Sequence, residues 1–205
     1  MKQSGEIWLP DGDDFFVNRH DYEVHDFNLA MEHVSEFRNA LDIGAHVGFW
    51  SQRLADKFGQ VLSFEPVPDH YDCLAKNIES KTNVYVHNVA VGNEIGTAYM
   101  NQTIENSGMS SIVDNETGLK VPLVTIDSLG LNDIDFIKID VEGFEPLVLK
   151  GAKKTILESR PVIFMEILNQ YKDSSDAFSI MAEYGYEQVA QTAENYIFKF
   201  KETPQ

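Results

Sequence analysis

Cysteine is almost absent from this sequence, since Cys73 is the single cysteine among 205 residues. One thiol cannot form an internal disulfide, so the composition suits a reducing compartment, and we expect a cytoplasmic protein. Cys73 lies within an apolar pattern of helical period, where we expect a small buried side chain rather than a reactive thiol. No group of cysteines and histidines has the spacing of a zinc site.

Basic residues are also scarce. The chain has 16 Lys and Arg residues against 33 Asp and Glu residues, which gives a formal net charge of -17. Such a surface repels a phosphate backbone and an anionic membrane. We therefore expect neither nucleic acid nor a membrane as a partner.

Long apolar runs are missing as well. No segment reaches the roughly 18 consecutive apolar residues of a membrane span, and residues 1–10 lack the apolar core of a signal peptide. The length suits one α/β domain, with no internal repeat and no linker composition. We expect residues 1–38 to form an N-terminal hairpin and helical cap on a domain of residues 39–205.

The segment Ala40 to Ser51, which reads ALDIGAHVGFWS, is the first with a chemical signature. A short apolar strand leads into a turn containing Gly44 and Gly48, and a helix follows. Glycines allow a sharp turn and a close approach to a ligand, and the free N–H groups of the helix favour an anion. The spacing G-x-x-x-G differs from the dinucleotide pattern G-x-G-x-x-G. The segment predicts a nucleotide-binding crossover, with an ordinary strand-to-helix turn as the alternative.

Beyond this turn, apolar strands alternate with segments of helical period. We expect Gly59 to end the first helix, Asp69 to cap the next, and one helix to run from about Glu145 to Ser159. The pattern predicts a doubly wound, mostly parallel sheet with an antiparallel edge. A polar stretch at 104–118, with Ser107 to Asn115 as a mobile lid, is long enough to be functional. Predicted strands are 61–65, 83–91, 96–103 (an additional edge strand), 121–125, 135–140 and 162–167, followed by a hairpin of 186–192 and 196–201.

Acidic residues follow several of the predicted strands, and ligands of such sheets bind outside the carboxyl ends of the strands. Glu65 comes 21 positions after Gly44, where an acid can accept both hydroxyls of a ribose. A solvated loop carboxylate is the alternative for Glu65.

A second acidic group comprises Asp140, Glu142 and Glu145, with Glu166 at the end of the neighbouring predicted strand. Carboxylates that converge in a cleft raise one another's pKa, so one of them can accept a proton, or the set can hold a divalent cation such as Mg²⁺. The alternative is that Glu142 and Glu145 only stabilise the first turn of a helix. His46, inside the glycine turn, is a candidate base or a hydrogen-bonding spacer.

Together these motifs resemble the FkbM family of S-adenosylmethionine-dependent methyltransferases. The resemblance rests on LDIGAHVG (41–48), SFEP (63–66), NVAVG (88–92), KIDVEGFE (138–145) and RPVIFME (160–166). It implies a class I, Rossmann-like methyltransferase with a seven-stranded sheet. It also implies O-methylation of a hydroxyl on a small molecule, sugar or glycan.

The resemblance further implies roles for individual residues. Eight positions would contact the cofactor: Gly44, Ala45, His46 and Gly48 around its methionine moiety, Glu65 with Pro66 at the ribose, and Asn88 and Val89 beside the adenine. Asp140 and Glu142 would face the sulfonium methyl and the acceptor, with Glu166 as a third catalytic or metal-binding carboxylate. Asp42 would lie beneath the cofactor as a structural group.

Two other functions stay open at this point. The chain could be a catalytically idle S-adenosylmethionine-binding module, although the acidic set of Asp140, Glu142 and Glu166 favours an enzyme. A nicotinamide-dependent oxidoreductase is disfavoured, because the third glycine of that fingerprint and a Tyr-x-x-x-Lys pair are missing. For the chemistry, direct base action by a carboxylate is preferred slightly over a metal.

Overall fold

The computed structural model describes residues 1–101, 107–113, 118–168, 170 and 175–202. Two 3₁₀ turns, Ser107–Met109 and Ile126–Leu129, accompany the regular elements. In chain order these are β1 (Lys2–Ser4), β2 (Ile7–Leu9), α1 (Val24–Met31), β3 (Asn39–Ile43), α2 (Phe49–Ala55), β4 (Gln60–Phe64), α3 (Pro68–Asn77), β5 (Val84–His87), β6 (Ala90–Val91), β7 (Gly96–Asn101), β8 (Ser111–Val113), β9 (Leu119–Val124), β10 (Ile134–Ile139), α4 (Glu145–Gly151), α5 (Lys153–Ser159), β11 (Val162–Glu166), α6 (Asp176–Glu183), β12 (Tyr186–Thr192) and β13 (Asn195–Phe200).

A seven-stranded sheet forms the centre of the fold, in the order β12-β13-β11-β10-β3-β4-β5. Strands β3, β4, β5, β10 and β11 are parallel, whereas β13 runs antiparallel to both of its neighbours. This confirms the predicted mostly parallel sheet with a C-terminal antiparallel hairpin. The carboxyl ends of the parallel strands meet at one edge, where the acidic residues were expected.

The central strands are apolar because both faces of the sheet are covered. In β10, Phe136 packs into the core on one face, while Ile137 and Ile139 pack into the core on the other. Burying each such side chain contributes roughly 1.5–3 kcal/mol. This two-sided burial explains why these strands read as continuous apolar runs.

The chain between β5 and β10 differs from the prediction. Only β5 of the predicted strand 83–91 joins the central sheet; β6 and β7 belong to a second, four-stranded sheet in the order β6-β9-β7-β8. The side-chain amide of Asn88 donates to the carbonyls of Glu65 and Pro66 at 2.8 and 3.0 Å, which holds the chain where it leaves the central sheet. The second sheet and the 3₁₀ turn Ile126–Leu129 therefore replace a crossover helix. Residues 102–103 of the predicted edge strand lie outside the described residues.

Several helix ends also differ. Helix α2 ends at Ala55 rather than at Gly59. Helix α3 begins at Pro68, and no side chain caps it; Asp69 is in its first turn, after a proline whose missing N–H needs no partner. The predicted helix to Ser159 is two helices, because the Asp127 carboxylate accepts from the backbone N–H groups of Lys154 and Thr155 at 2.9 Å and so caps a new helix start.

The N-terminal residues form the predicted hairpin, β1 with β2, followed by α1. A division at residue 38 stays a prediction. Cys73 is fully buried, as expected, and burial raises the pKa of its thiol to about 12. Among the described helices, none is long and apolar enough to cross a membrane.

Candidate active site

A cavity of about 250 Å³ opens at the carboxyl edge of the central sheet. Its floor comes from the ends of β3, β4, β10 and β11. Two walls come from outside that sheet. One is the N-terminal segment, with Phe16, Tyr22 and Glu23, and the other contains Ser107 of the 3₁₀ turn Ser107–Met109 and Ile112 of β8. The cavity thus combines strand ends that the sequence marked, residues of the predicted lid, and an N-terminal wall that the sequence did not mark as part of the site.

The glycine turn after β3 is shaped by packing. Gly44 and Gly48 have φ angles of 79° and 94°. An added Cβ on Gly44 would lie 1.8 Å from the backbone oxygen of Asp140, and one on Gly48 would lie 2.7 Å from Leu74. Close approach of the chain to itself thus requires glycine at both positions, and the expected close approach to a ligand stays a prediction.

Glu65 directly follows β4 and is 4% exposed. One carboxylate oxygen accepts from the backbone N–H of His46 at 2.8 Å, and the other accepts from the N–H of Val67 at 2.9 Å. Nδ1 of His70 lies 3.4 Å from the second oxygen. Since each carboxylate oxygen has two lone-pair sites, Glu65 can still accept bonds from hydroxyls in the cavity.

A buried lysine connects the glycine turn to β10. The ammonium of Lys138 donates to the Gly44 carbonyl at 2.7 Å and lies 3.0 Å from the Asp140 carboxylate and 3.7 Å from that of Asp42. Burial lowers the pKa of Lys138, but Asp140, Asp42 and Glu23 raise it more, so the net shift is upward. Lys138 is therefore charged. Burial raises the pKa of Asp42, which accepts a hydrogen bond from Ser51 at 2.6 Å beneath the turn.

Three carboxylates converge at the ends of β10 and β11. One oxygen each from Asp140, Glu142 and Glu166 lies within 4.8 Å of the others, which is close enough to hold a metal ion. Glu142 has a left-handed backbone, with φ of 54°. Burial, followed by the charges of Asp140 and Glu142, raises the pKa of Glu166 well above its ordinary value. This shift favours the protonated form of Glu166.

The N-terminal segment adds a fourth carboxylate, Glu23, that the sequence analysis missed. Its Oε2 accepts from the indole N–H of Trp50 at 2.8 Å. Burial, and then the charge of Asp140, raises the pKa of Glu23. The neighbouring Tyr22 has a raised pKa, first through burial and then through the charge of Glu23. Tyr22 belongs to a segment of helical period, but no motif in the sequence pointed to either residue as part of the site.

The His46 ring lies between three partners. Its Nε2 is 2.5 Å from the hydroxyl oxygen of Ser107, and its ring contacts those of Phe16 and His70, with centroids 4.8 and 4.9 Å away. Burial, and then His70 and Lys138, lower the pKa of His46 well below its ordinary value. The ring is neutral, and its expected role as a base stays a prediction.

Most of the predicted site residues meet in this cavity. Gly48 and Asn88 do not line it, because Gly48 faces α3 and Asn88 bonds to the backbone after β4. Asp42 lies beneath it, as the resemblance implied. Among the described residues, those predicted residues that line the cavity are Gly44, Ala45, His46, Glu65, Pro66, Val89, Asp140, Glu142 and Glu166.

The fold is that of a class I, Rossmann-like methyltransferase: a seven-stranded sheet with one reversed strand and a cavity at its carboxyl edge. The family model described as "Methyltransferase FkbM domain" matches residues 42–187. The chain therefore belongs to the FkbM family of S-adenosylmethionine-dependent methyltransferases.

Individual relatives are distant. The chain is 24% identical to "Methyltransferase sdnD" of Sordaria araneosa over 178 residues, 67% of this chain and 68% of that protein. The methyltransferase FkbM structure from Methylobacillus flagellatus KT has a TM-score of 0.60 at 18% identity; the match covers 80% of this chain but only 44% of that one. An O-methyltransferase from Bacillus cereus in complex with SAH has a TM-score of 0.54 at 20% identity, covering 93% and 83%. At these identities the two structures show the fold alone.

The residues present fit the family's cofactor. S-Adenosylmethionine carries a cationic sulfonium, an ammonium and a ribose diol. The cavity offers the carboxylates of Glu23, Asp140 and Glu166 to the cations and Glu65 to hydroxyl donors. Aromatic rings of Phe16 and Trp50 add faces that attract a desolvated cation.

Proposed function

We propose that this protein transfers the methyl group of S-adenosylmethionine to a hydroxyl oxygen of a small molecule, sugar or glycan. The observation that carries the proposal is the convergence of Asp140, Glu142 and Glu166 in the same cavity as Glu65 and the glycine turn. A cofactor site and a proton-accepting group thus share one enclosed space.

The cofactor side of the cavity is formed by Gly44, Ala45 and His46 after β3, by Glu65 and Pro66 after β4, and by Val89. In the proposal, the methionine moiety lies against the turn, and the ribose hydroxyls donate to Glu65. Charge-assisted hydrogen bonds of this kind contribute about 1.5–3 kcal/mol. The bound cofactor supplies an electrophilic methyl group on a positively charged sulfur.

The acceptor side is formed by the carboxylate group. Asp140 is the proposed base, because it lies directly after β10 and is paired with the charged Lys138 at 3.0 Å. A carboxylate in this place can accept a proton from a bound hydroxyl. Asp140 takes the hydroxyl proton itself. Glu166, whose raised pKa favours its protonated form, shares a hydrogen bond with Asp140 and does not accept that proton. A carboxylate that holds the hydroxyl in line and removes its proton contributes about 10²–10⁴-fold to such a step.

A divalent cation is the alternative for the same three carboxylates. Oxygen ligands alone favour Mg²⁺ or Ca²⁺ over zinc. Such an ion would lower the pKa of the acceptor hydroxyl instead of removing its proton directly. Direct base action by Asp140 is preferred over a metal ion, because Lys138 already provides a cation beside this carboxylate.

The experiment is a screen with radiolabelled S-adenosylmethionine and pools of hydroxylated metabolites, sugars and glycans, followed by mass analysis of labelled products. Transfer to oxygen supports the proposal. Transfer only to nitrogen or carbon contradicts the O-methyl assignment. Cofactor binding without transfer to any pool would favour the idle binding module.

A further inference from the structure

The feature that the proposed function leaves unused is Asp13, a fully buried carboxylate in the N-terminal segment. It lies outside residues 42–187, which the family model matches. Its Oδ1 accepts from the backbone N–H of Phe16 at 3.0 Å. Its Oδ2 accepts from both the backbone N–H of Ser107, at 3.2 Å, and the Ser107 hydroxyl. A buried acid from one wall of the cavity is thus bonded to the other wall.

The direction of these hydrogen bonds determines which atoms carry the protons. Backbone N–H groups can only donate, so both Asp13 oxygens act as acceptors. The single hydroxyl proton of Ser107 points to Asp13, and the Ser107 oxygen is then left as an acceptor for Nε2 of His46, 2.5 Å away. His46 must therefore carry its proton on Nε2, so that Nδ1 is unprotonated.

His46 also connects this series of hydrogen bonds to the cofactor side of the cavity. The backbone N–H of His46 donates to Glu65 at 2.8 Å, and His46 has the strained φ of 50°. A residue that is not glycine holds such a backbone only when its surroundings fix it. Ser107, 2% exposed, is the polar partner that fixes the ring.

We propose that Asp13 is a positioning residue of the methyl-donor site: through Ser107 it fixes the tautomer and orientation of His46, and thereby the turn that holds Glu65. The inference rests on the proposed function for its assignment of Glu65 to the cofactor. Asp13 does not touch the cofactor, and its effect is transmitted by two hydrogen bonds.

Asp13→Asn provides the test, because it exchanges one acceptor oxygen for a donor. With its amide nitrogen in the place of Oδ2, the asparagine donates to the Ser107 oxygen and no longer accepts from the Ser107 N–H. The Ser107 proton then turns toward His46, and the histidine proton moves to Nδ1. Asp14→Asn is the matched control: it makes the same change at the neighbouring residue, where an exposed carboxylate pairs with Lys2 at the surface. Ser107→Ala removes the link, and Ser107→Thr keeps the hydroxyl.

Two readouts are measured on the full chain: the tautomer of His46 by ¹⁵N NMR of the imidazole, and the dissociation constant of S-adenosylhomocysteine by calorimetry. We expect Nε2–H in the parent, in Asp14→Asn and in Ser107→Thr, and a shift toward Nδ1–H in Asp13→Asn. We expect affinity to fall about three- to tenfold in Asp13→Asn and Ser107→Ala. Affinity in Asp14→Asn should match the parent.

An Nδ1–H tautomer in the parent would overturn the hydrogen-bond chain. A tautomer shift in Asp13→Asn with unchanged affinity would overturn the positioning role. If the parent itself bound no S-adenosylhomocysteine, the proposed cofactor site would be wrong, while the NMR result would still decide whether Asp13 controls His46.

Discussion

The backbone carbonyl oxygen of Asp140 occupies the space that a Cβ atom on Gly44 would need, with 1.8 Å between the two positions. The end of β10 and the turn after β3 are therefore packed backbone to backbone. Through this contact the proposed base and the proposed cofactor turn have a fixed relative position.

Gly44→Ala should be strongly destabilising. The substitution has two costs. Alanine is strained at a φ of 79°, and its Cβ clashes with backbone atoms, which cannot move away as a flexible side chain can. Gly130→Ala is the matched control, since Gly130 has a φ of 64° but nothing within 4 Å of the added Cβ. We expect Gly130→Ala to lose about 1–2 kcal/mol of the free energy of unfolding and Gly44→Ala at least twice as much, measured by urea denaturation. Equal losses would show that packing against Asp140 does not constrain the turn.

Glu65→Gln should weaken binding of S-adenosylhomocysteine about tenfold or more, because the charge that strengthens the hydrogen bonds to ribose hydroxyls is lost. The glutamine keeps one oxygen, which can accept from the N–H of either His46 or Val67, whereas Glu65→Ala would remove the acceptor of both. Glu79→Gln, at the exposed end of an ion pair with Lys76, is the control. If calorimetry gave Glu65→Gln the parental affinity, the ribose assignment would be wrong.

Glu145 gives a pH-dependent prediction. It is 1% exposed, and burial raises the pKa of its carboxyl to about 7. The folded state then binds the proton more tightly than the unfolded state, so this contribution to stability is complete below about pH 4.5 and is lost as the pH rises to about 7. We expect the free energy of unfolding of the parent to fall by up to about 3 kcal/mol more than that of Glu145→Gln between pH 4.5 and pH 7.5.

The glutamine retains the oxygen that accepts from the Gly143 N–H at 2.9 Å. Glu158→Gln, on the exposed side of α5, controls for the loss of a surface charge. Parallel pH profiles for Glu145→Gln and the parent would contradict the assigned pKa.

The proposed lid lies at Ser107 to Asn115, of which residues 107–113 are described. Its described anchors are the bonds of Ser107 to Asp13 and His46, the pairing of β8 with β7, and the packing of Ile112 on an apolar cluster of the second sheet. We expect amides in this segment to exchange hydrogen faster than those of β10 and to slow when S-adenosylhomocysteine binds. Protection equal to that of β10, with and without the ligand, would show that the segment is not a lid.

The sequence predicted the site best at acidic residues that lie at the ends of parallel strands. Asp140 and Glu166 each mark the end of a parallel strand, so the geometry of a doubly wound sheet brings them together. Glu65 follows from the same rule. The resemblance to FkbM methyltransferases then assigned roles that neighbouring strand ends alone do not define.

The other parts of the site and the second sheet depend on contacts between residues that are distant in sequence. Asp13 lies in a turn-rich segment and Glu23 in a segment of helical period, and neither pattern marks a site residue. Their partners are distant in sequence: Ser107 is 94 residues from Asp13, and Trp50 is 27 residues from Glu23. The second sheet was missed because β6 is two residues long and its pairing with β9 is not visible in a local pattern.

The direct measurement of the central claim is methyl transfer by the parent, Asp140→Asn and Glu142→Gln to the hydroxylated acceptor found by the screen, each with and without chelation and Mg²⁺ addition. We predict that Asp140→Asn loses at least about 100-fold in turnover while its affinity for S-adenosylhomocysteine stays within a few-fold of the parent, and that chelation leaves the parent active. Loss of parental activity on chelation, restored by Mg²⁺, would replace direct base action by the metal. Unchanged turnover in both variants would contradict the assignment of the carboxylates to catalysis.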